Sequence, residues 1–229
     1  MKCFNYFTLF EKLLWLISVI VICMTFFLFD GSDPLSLIAS VIGVTFLIFN
    51  AKGNPIGQFL TIVFSILYGI ISYSFSYYGE MITYLGMTAP MALLALISWL
   101  KNPFKGNRSQ VKINRISKKE TVFMLILTAA VTTVFYYILC AFNTANIVPS
   151  TISVTTSFLA VYLTFRRNPY FALAYASNDL VLIVLWAMAT FEDTRYASVP
   201  VCFIVFFVND LYGFYNWKRM EIHQSSEKR

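Results

Sequence analysis

The sequence predicts an all-α integral membrane protein with about eight transmembrane helices, arranged as a 3+1+3 parallel repeat behind one extra N-terminal helix. Three observations predict it. The first is composition: of 229 residues 59% are hydrophobic, 23 are Phe and 14 are Tyr, and only 12% are charged, against roughly 25% in soluble domains. Mean hydropathy is +0.70. The second is a set of apolar runs at 13–29, 34–50, 55–73, 79–99, 121–141, 148–165, 169–191 and 198–217. Most have the roughly 17–25 residues that a spanning helix needs. A spanning segment must satisfy its own backbone, which excludes an open sheet. The third is charge placement. With eight spans, 16 of the 17 Lys and Arg fall on one side and only Arg195 on the other. Basic loops stay cytoplasmic, so both termini are predicted to be cytoplasmic in a multi-pass protein of the cell membrane. The net charge of +6 is thus a topology signal and points to no nucleic-acid partner.

The elements follow in order. Residues 1–32 hold the extra helix, whose apolar run lacks a small-residue cleavage site and is read as retained. Residues 33–100 form a first three-helix bundle. Residues 101–147 comprise a basic loop, with seven Lys and Arg over 101–119, and a linker helix. The plain role of that loop is fixing topology, with anionic headgroups as neighbours. Residues 148–219 form a second three-helix bundle, and 220–229 a cytoplasmic tail. The repeat is visible at helix boundaries. Asn54-Pro55 opens the third run and Asn168-Pro169 the seventh. Asn caps a helix start, and Pro at the first position supplies a helical φ where no N–H is needed. The fourth run ends on Trp99-Leu100-Lys101 and the eighth on Trp217-Lys218-Arg219. An even number of helices separates each matched pair, so the halves share one orientation, a plan in which substrate binds at the repeat interface. Trp15, Trp99 and Trp217 are expected to anchor helix ends at the membrane surface. Cys3, Cys23, Cys140 and Cys202 show no pairing or metal spacing and are expected as free thiols.

No enzyme signature is present. The single histidine, His223, lies in the tail, and there is no zinc-protease, nucleophile-elbow or phosphate-loop motif. No cofactor or metal is expected. What stands out is Asn178-Asp179 and Asn209-Asp210, two acids embedded in apolar helices. They are read as the only acids unable to reach water from a loop. A mid-membrane carboxylate costs roughly 2.5–3.5 kcal/mol on insertion scales, so it faces a cavity or a partner. Both fall within about 4 Å of their helix midpoints at 1.5 Å per residue. They can in principle meet, yet neither sits in a hydrolase-like motif. Tyr175, Asp179, Ile183 and Trp186 share one helical face, as do Phe206, Asp210, Gly213 and Trp217, with Asn209 and Tyr212 beside them. Gln58, Thr61, Ser65, Tyr68 and Ser72 form a polar stripe on the third run. The candidate substrate-binding set is therefore Asn178, Asp179, Trp186, Asn209, Asp210, Tyr212, Gln58, Tyr68 and Tyr175. Its competing role is interhelical packing through polar side chains, and repetition of the dyad at matched depth favours binding.

From Asn178-Asp179-Leu-Val-Leu-Ile-Val-Leu-Trp186 and Asn209-Asp210-Leu-Tyr-Gly-Phe-Tyr-Asn-Trp217-Lys-Arg, the chain resembles the nicotinamide riboside transporter family (PnuC). The resemblance extends over about residues 33–219, including Thr164-Phe-Arg166-Arg167. It implies a SWEET-like fold and facilitated diffusion of a vitamin-like riboside, trapped by a cytoplasmic kinase. It also implies a homotrimer. Relatives carrying thiamine, riboflavin or deoxynucleosides leave the cargo open, and a non-transport membrane scaffold is the competing class. Carboxylates and amides suit ribose hydroxyls, and aromatic rings suit a pyridinium.

Overall fold

The computed structural model describes residues 6–30, 34–74, 78–144, 146–192 and 194–227. Among these are eight helices long and apolar enough to cross a membrane. They are α1 (Leu9–Thr25), α2 (Pro34–Ala51), α3 (Pro55–Ser74), α4 (Tyr78–Lys101), α5 (Lys118–Ala141), α6 (Ile147–Phe165), α7 (Tyr170–Glu192) and α8 (Ser198–Ser226). Local chemistry sets their ends. Thr8 and Glu11 cap α1 reciprocally, each side chain accepting the other's backbone N–H, which satisfies two orphan donors. Ser117 caps α5 through the Glu120 N–H. Asn54 Oδ1 accepts from the Ile56 N–H and Asn168 Oδ1 from the Tyr170 N–H, both at 3.0 Å. The residue before each of these asparagines, Gly53 (φ 64°) and Arg167 (φ 58°), is left-handed. The second instance places strain on a non-glycine residue.

Two helices carry a π-turn, α1 continuing through Phe26–Asp30 and α4 widening over Tyr84–Thr88. Pro90 explains the second: without an N–H it cannot bond back one turn, and the ladder slips by a residue. The slip lies on the helix face that carries Tyr84 and Thr88 into the protein interior.

Six helices close into a ring. Neighbours in order are α2, α3, α4, α6, α7 and α8, with α8 returning to α2. The linker α5 packs on α6 from outside, and α1 packs on α2 and α8. Residues 103–104 and 107–111 of the basic loop pair as a short antiparallel hairpin, a detail the sequence reading passed over. The basic loop reaches both halves: within the hairpin the Val111 N–H donates to the Gly53 carbonyl, and beyond it the Asn114 N–H donates to the Arg167 carbonyl. The tail is likewise more ordered than expected. Helix α8 runs to Ser226, because Gln224 receives the Ile113 N–H at 2.8 Å and donates to the Val111 carbonyl. Glu221 meanwhile pairs with Arg115 and Lys218.

The tryptophans correct an expectation. Trp15 is partly exposed and donates to Thr45. Trp99 and Trp217, however, are fully buried, with rings 5.4 Å apart. Trp99 Nε1 donates to the Thr164 carbonyl across to α6, and Trp217 Nε1 donates to the Asn50 carbonyl across to α2. They fasten one half of the ring to the other rather than anchoring helix ends in the headgroup layer. Cys23, Cys140 and Cys202 are free thiols; Cys3 lies outside the described residues.

Candidate functional site

All six ring helices contribute side chains to a small central cavity of about 80 Å³. Helix α7 supplies Tyr175, Asn178 and Asp179 and α8 supplies Asp210. Asp179 and Asp210 are 4% and 6% exposed, and their carboxyl groups are within hydrogen-bonding reach of each other. A hydrogen bond between two carboxyl groups requires one of them to carry the proton and donate. A single proton shared by the pair would meet that requirement and lower the cost of keeping it in an apolar protein. Asp179 Oδ2 is buried with no hydrogen-bond partner among the described residues, leaving an acceptor inside the ring.

Asn178 is placed with equal care. Its Oδ1 accepts from Ser153, Thr156 and Ser157 of α6 at 3.1, 2.9 and 3.1 Å. Three hydroxyls on one carbonyl oxygen fix the amide's orientation, so its NH2 group is the part left for other partners. Tyr175 packs edge-on against Phe171.

The remaining predicted residues separate into two groups. Tyr68 and Trp186 line a second cavity of about 250 Å³, nearer the end of the ring opposite the hairpin. There Trp186 meets Tyr196 with centroids 5.6 Å apart. Gln58, Asn209 and Tyr212 line neither cavity. Gln58 donates to Asn50 Oδ1 at 2.8 Å. Asn209 donates to Ser18 of α1 at 3.0 Å and to the Val205 carbonyl. Tyr212 donates to Glu11 at 2.8 Å, where Glu11 also pairs with Lys52. These three couple helices. The two Asn-Asp dyads are thus unlike: Asn178 faces the cavity, whereas Asn209 faces α1.

The sequence reading also missed an acid. Glu80 lines both cavities, accepts from the Tyr68 hydroxyl, and buries its Oε2 with no hydrogen-bond partner among the described residues. Glu11, at 1% exposure, is sequestered as well. Asp179 and Asp210 are therefore not the only acids held away from water. Glu80 lies within the first turn of α4 and so reads as loop-accessible, but α3 runs alongside and covers it. The polar Tyr68 at helical spacing on the stripe of α3 was the one available signal.

Comparison with known proteins adds a family to this geometry. The family model described as nicotinamide mononucleotide transporter matches residues 33–219. The chain belongs to that family. Among its relatives is a nicotinamide riboside transporter PnuC from Neisseria mucosa. It is 26% identical over 221 residues, covering 93% of this chain and 82% of the relative. A protein of the same description from Haemophilus influenzae is 20% identical, with 91% and 90% covered. The crystal structure of the vitamin B3 transporter PnuC has the same fold, at a TM-score of 0.82 and 22% identity over 95% of this chain and 94% of that one. Membership makes this a multi-pass membrane transporter of a small molecule.

Proposed function

We propose that the protein carries nicotinamide riboside, or a close vitamin-like riboside, across the cell membrane by facilitated diffusion. The observation that supports this most directly is the carboxyl pair, Asp179 with Asp210, buried at mid-depth in a cavity that all six ring helices enclose. A riboside offers what these groups lack. Its hydroxyls can donate to Asp179 Oδ2, and they can accept from the oriented Asn178 NH2 group. Its pyridinium would be favoured by a single negative charge with Tyr175 alongside. The names of the relatives agree with this cargo.

The same reading has the halves of the ring rock against each other as two parallel repeats. Three reciprocal features support it. The Asn-Pro starts cap identically, Trp99 and Trp217 donate to opposite halves, and α2 meets α8 as α4 meets α6. Both termini would be cytoplasmic, phosphorylation by a cytoplasmic kinase would trap the product, and the assembled form would be a homotrimer.

Purified protein in liposomes, preloaded with unlabelled nicotinamide riboside, should accumulate labelled riboside from outside by exchange. Thiamine, riboflavin and deoxynucleosides serve as competing unlabelled solutes. Exchange driven better by one of these would reassign the cargo. No exchange with any of them would remove the transport reading.

A further inference from the structure

The passage is divided. The central cavity and the larger one beside it share four wall residues, Phe64, Glu80, Phe203 and Phe206. Three of the four are phenylalanines, with Phe206 5.8 Å from Phe203 and 6.2 Å from Phe64. Phe206 reaches this position because residue 43 is a glycine: a Cβ there would lie 2.4 Å from the tip of the Phe206 ring. The partition is therefore written into the packing of α2 against α8. Its one polar member is Glu80.

Size and lining distinguish the chambers. Ligand pockets generally run from about 300 to 1,000 Å³. At about 80 Å³ the central cavity is too small for a whole riboside in this conformation, whereas the other, at about 250 Å³, approaches the range. The larger chamber lies between the C-terminal ends of α1, α3 and α7 and the N-terminal ends of α2 and α8. Its aromatic groups are Tyr68, Trp186 and Tyr196, with hydroxyls from Ser36, Ser40 and Ser72. Glu80 leans into it through the hydrogen bond from Tyr68, while its Oε2 stays buried with no partner among the described residues. An acidic, aromatic, hydroxyl-bearing chamber selects a flat cation with a polar appendage.

We infer that this chamber is a staging site, in which Glu80 and the surrounding rings hold the cationic ring of the substrate before the phenylalanine partition admits it to the aspartate pair. The inference rests on the transport reading above. It assigns two acidic stations to the path, with different tasks. Asp179 and Asp210 set how tightly the substrate is held at the centre. Glu80 sets how readily a positively charged ring arrives there, and it slows entry and exit alike when its charge is gone. On the orientation given by the basic loops, the staging chamber faces outside.

The test compares Glu80→Gln with wild-type protein in liposomes, using two probes. One is nicotinamide riboside, a cation. The other is reduced nicotinamide riboside, nearly the same shape without the ring charge. Wild-type binding of the cation, measured first by calorimetry, tests the transport reading by itself; if it is absent, the cargo is wrong and the chambers are not at issue. Given binding, Glu80→Gln should slow uptake of the cation roughly tenfold at concentrations far below saturation, the size expected for a lost charge-assisted contact. Its equilibrium Kd should change less than about twofold, and uptake of the neutral probe should be nearly unaffected. Tyr196→Leu, which removes an aromatic from the far wall, should slow the cation in the same sense and guards against a poorly folding Glu80 variant. Three results would overturn the inference: unchanged cation uptake in both variants, equal slowing of both probes, or a Kd weakened as much as in Asp179→Asn.

Discussion

At the residue scale the carboxyl pair carries the most specific expectation. Asp179→Asn and Asp210→Asn keep shape, and the new amide can donate to the remaining carboxylate, so the contact between α7 and α8 survives. Losing a charge-assisted hydrogen bond to a ligand costs roughly 1.5–3 kcal/mol, about 10- to 150-fold in affinity. Calorimetric Kd should weaken by that factor in each variant, while the melting temperature barely falls because shape and the contact between α7 and α8 are both kept. A large drop in melting temperature with unchanged Kd would make the pair packing material. Asn209 provides the contrast. Since it bonds Ser18 and the Val205 carbonyl, Asn209→Ala should lower melting temperature by loosening α1, with Kd changed little.

At the scale of elements the reciprocal tryptophans matter most. Each donates an indole N–H to a carbonyl at the end of a helix in the other half. These bonds tie the two halves together at the hairpin end of the ring. Trp99→Phe and Trp217→Phe each remove one of two donors to a buried carbonyl, since the Arg167 and Gly53 backbone N–H groups still reach Thr164 and Asn50, at a cost of about 0.5–1.5 kcal/mol. Both should lower the melting temperature to a similar degree, and a large inequality would argue against equivalent roles. Hydrogen exchange should report the same loosening at Asn54 and Asn168. The extension of α8 makes a second prediction. Deleting residues 220–229 removes Gln224, so the Ile113 amide should lose protection. The Val111 amide, bonded to the Gly53 carbonyl, should keep much of its own.

For the whole molecule, orientation and energetics are the questions. Because 16 of 17 basic residues fall on one set of loops, an impermeant thiol reagent applied to cells should label a cysteine placed at Thr194 and miss one at Asn107. The reverse pattern would invert the protein. A carrier that rocks between two faces without a coupled ion dissipates gradients only. In liposomes free of nucleotide, riboside should equilibrate and stop, with or without a proton gradient. Accumulation driven by protons alone would instead make the proton shared between Asp179 and Asp210 part of the transport cycle.

Much of this architecture was legible without coordinates, for a physical reason. A bilayer forces each span to be long, apolar and internally hydrogen-bonded, so hydropathy and the Asn-Pro starts read out the helices to within a few residues, apart from the extension of α8 to Ser226. The rarity of buried charge likewise exposed Asp179 and Asp210. What one-dimensional spacing lacks is the identity of the helix opposite. Asn178 and Asn209 sit in the same local sequence, yet one meets three hydroxyls of α6 and the other meets Ser18 of α1. Trp99 and Trp217 close their apolar runs as surface anchors would, and only the ring geometry turns them inward onto Thr164 and Asn50. Glu80, one turn from a helix start, became a wall of both cavities because α3 covers it. The place of Phe206 in the wall shared by the two cavities depends on a glycine 163 positions away, at residue 43. Sequence alone determined which segments cross the membrane and which polar groups go with them; packing between distant helices decided which of those groups face the cavity, because side-chain environment is a property of the neighbour and not of the chain.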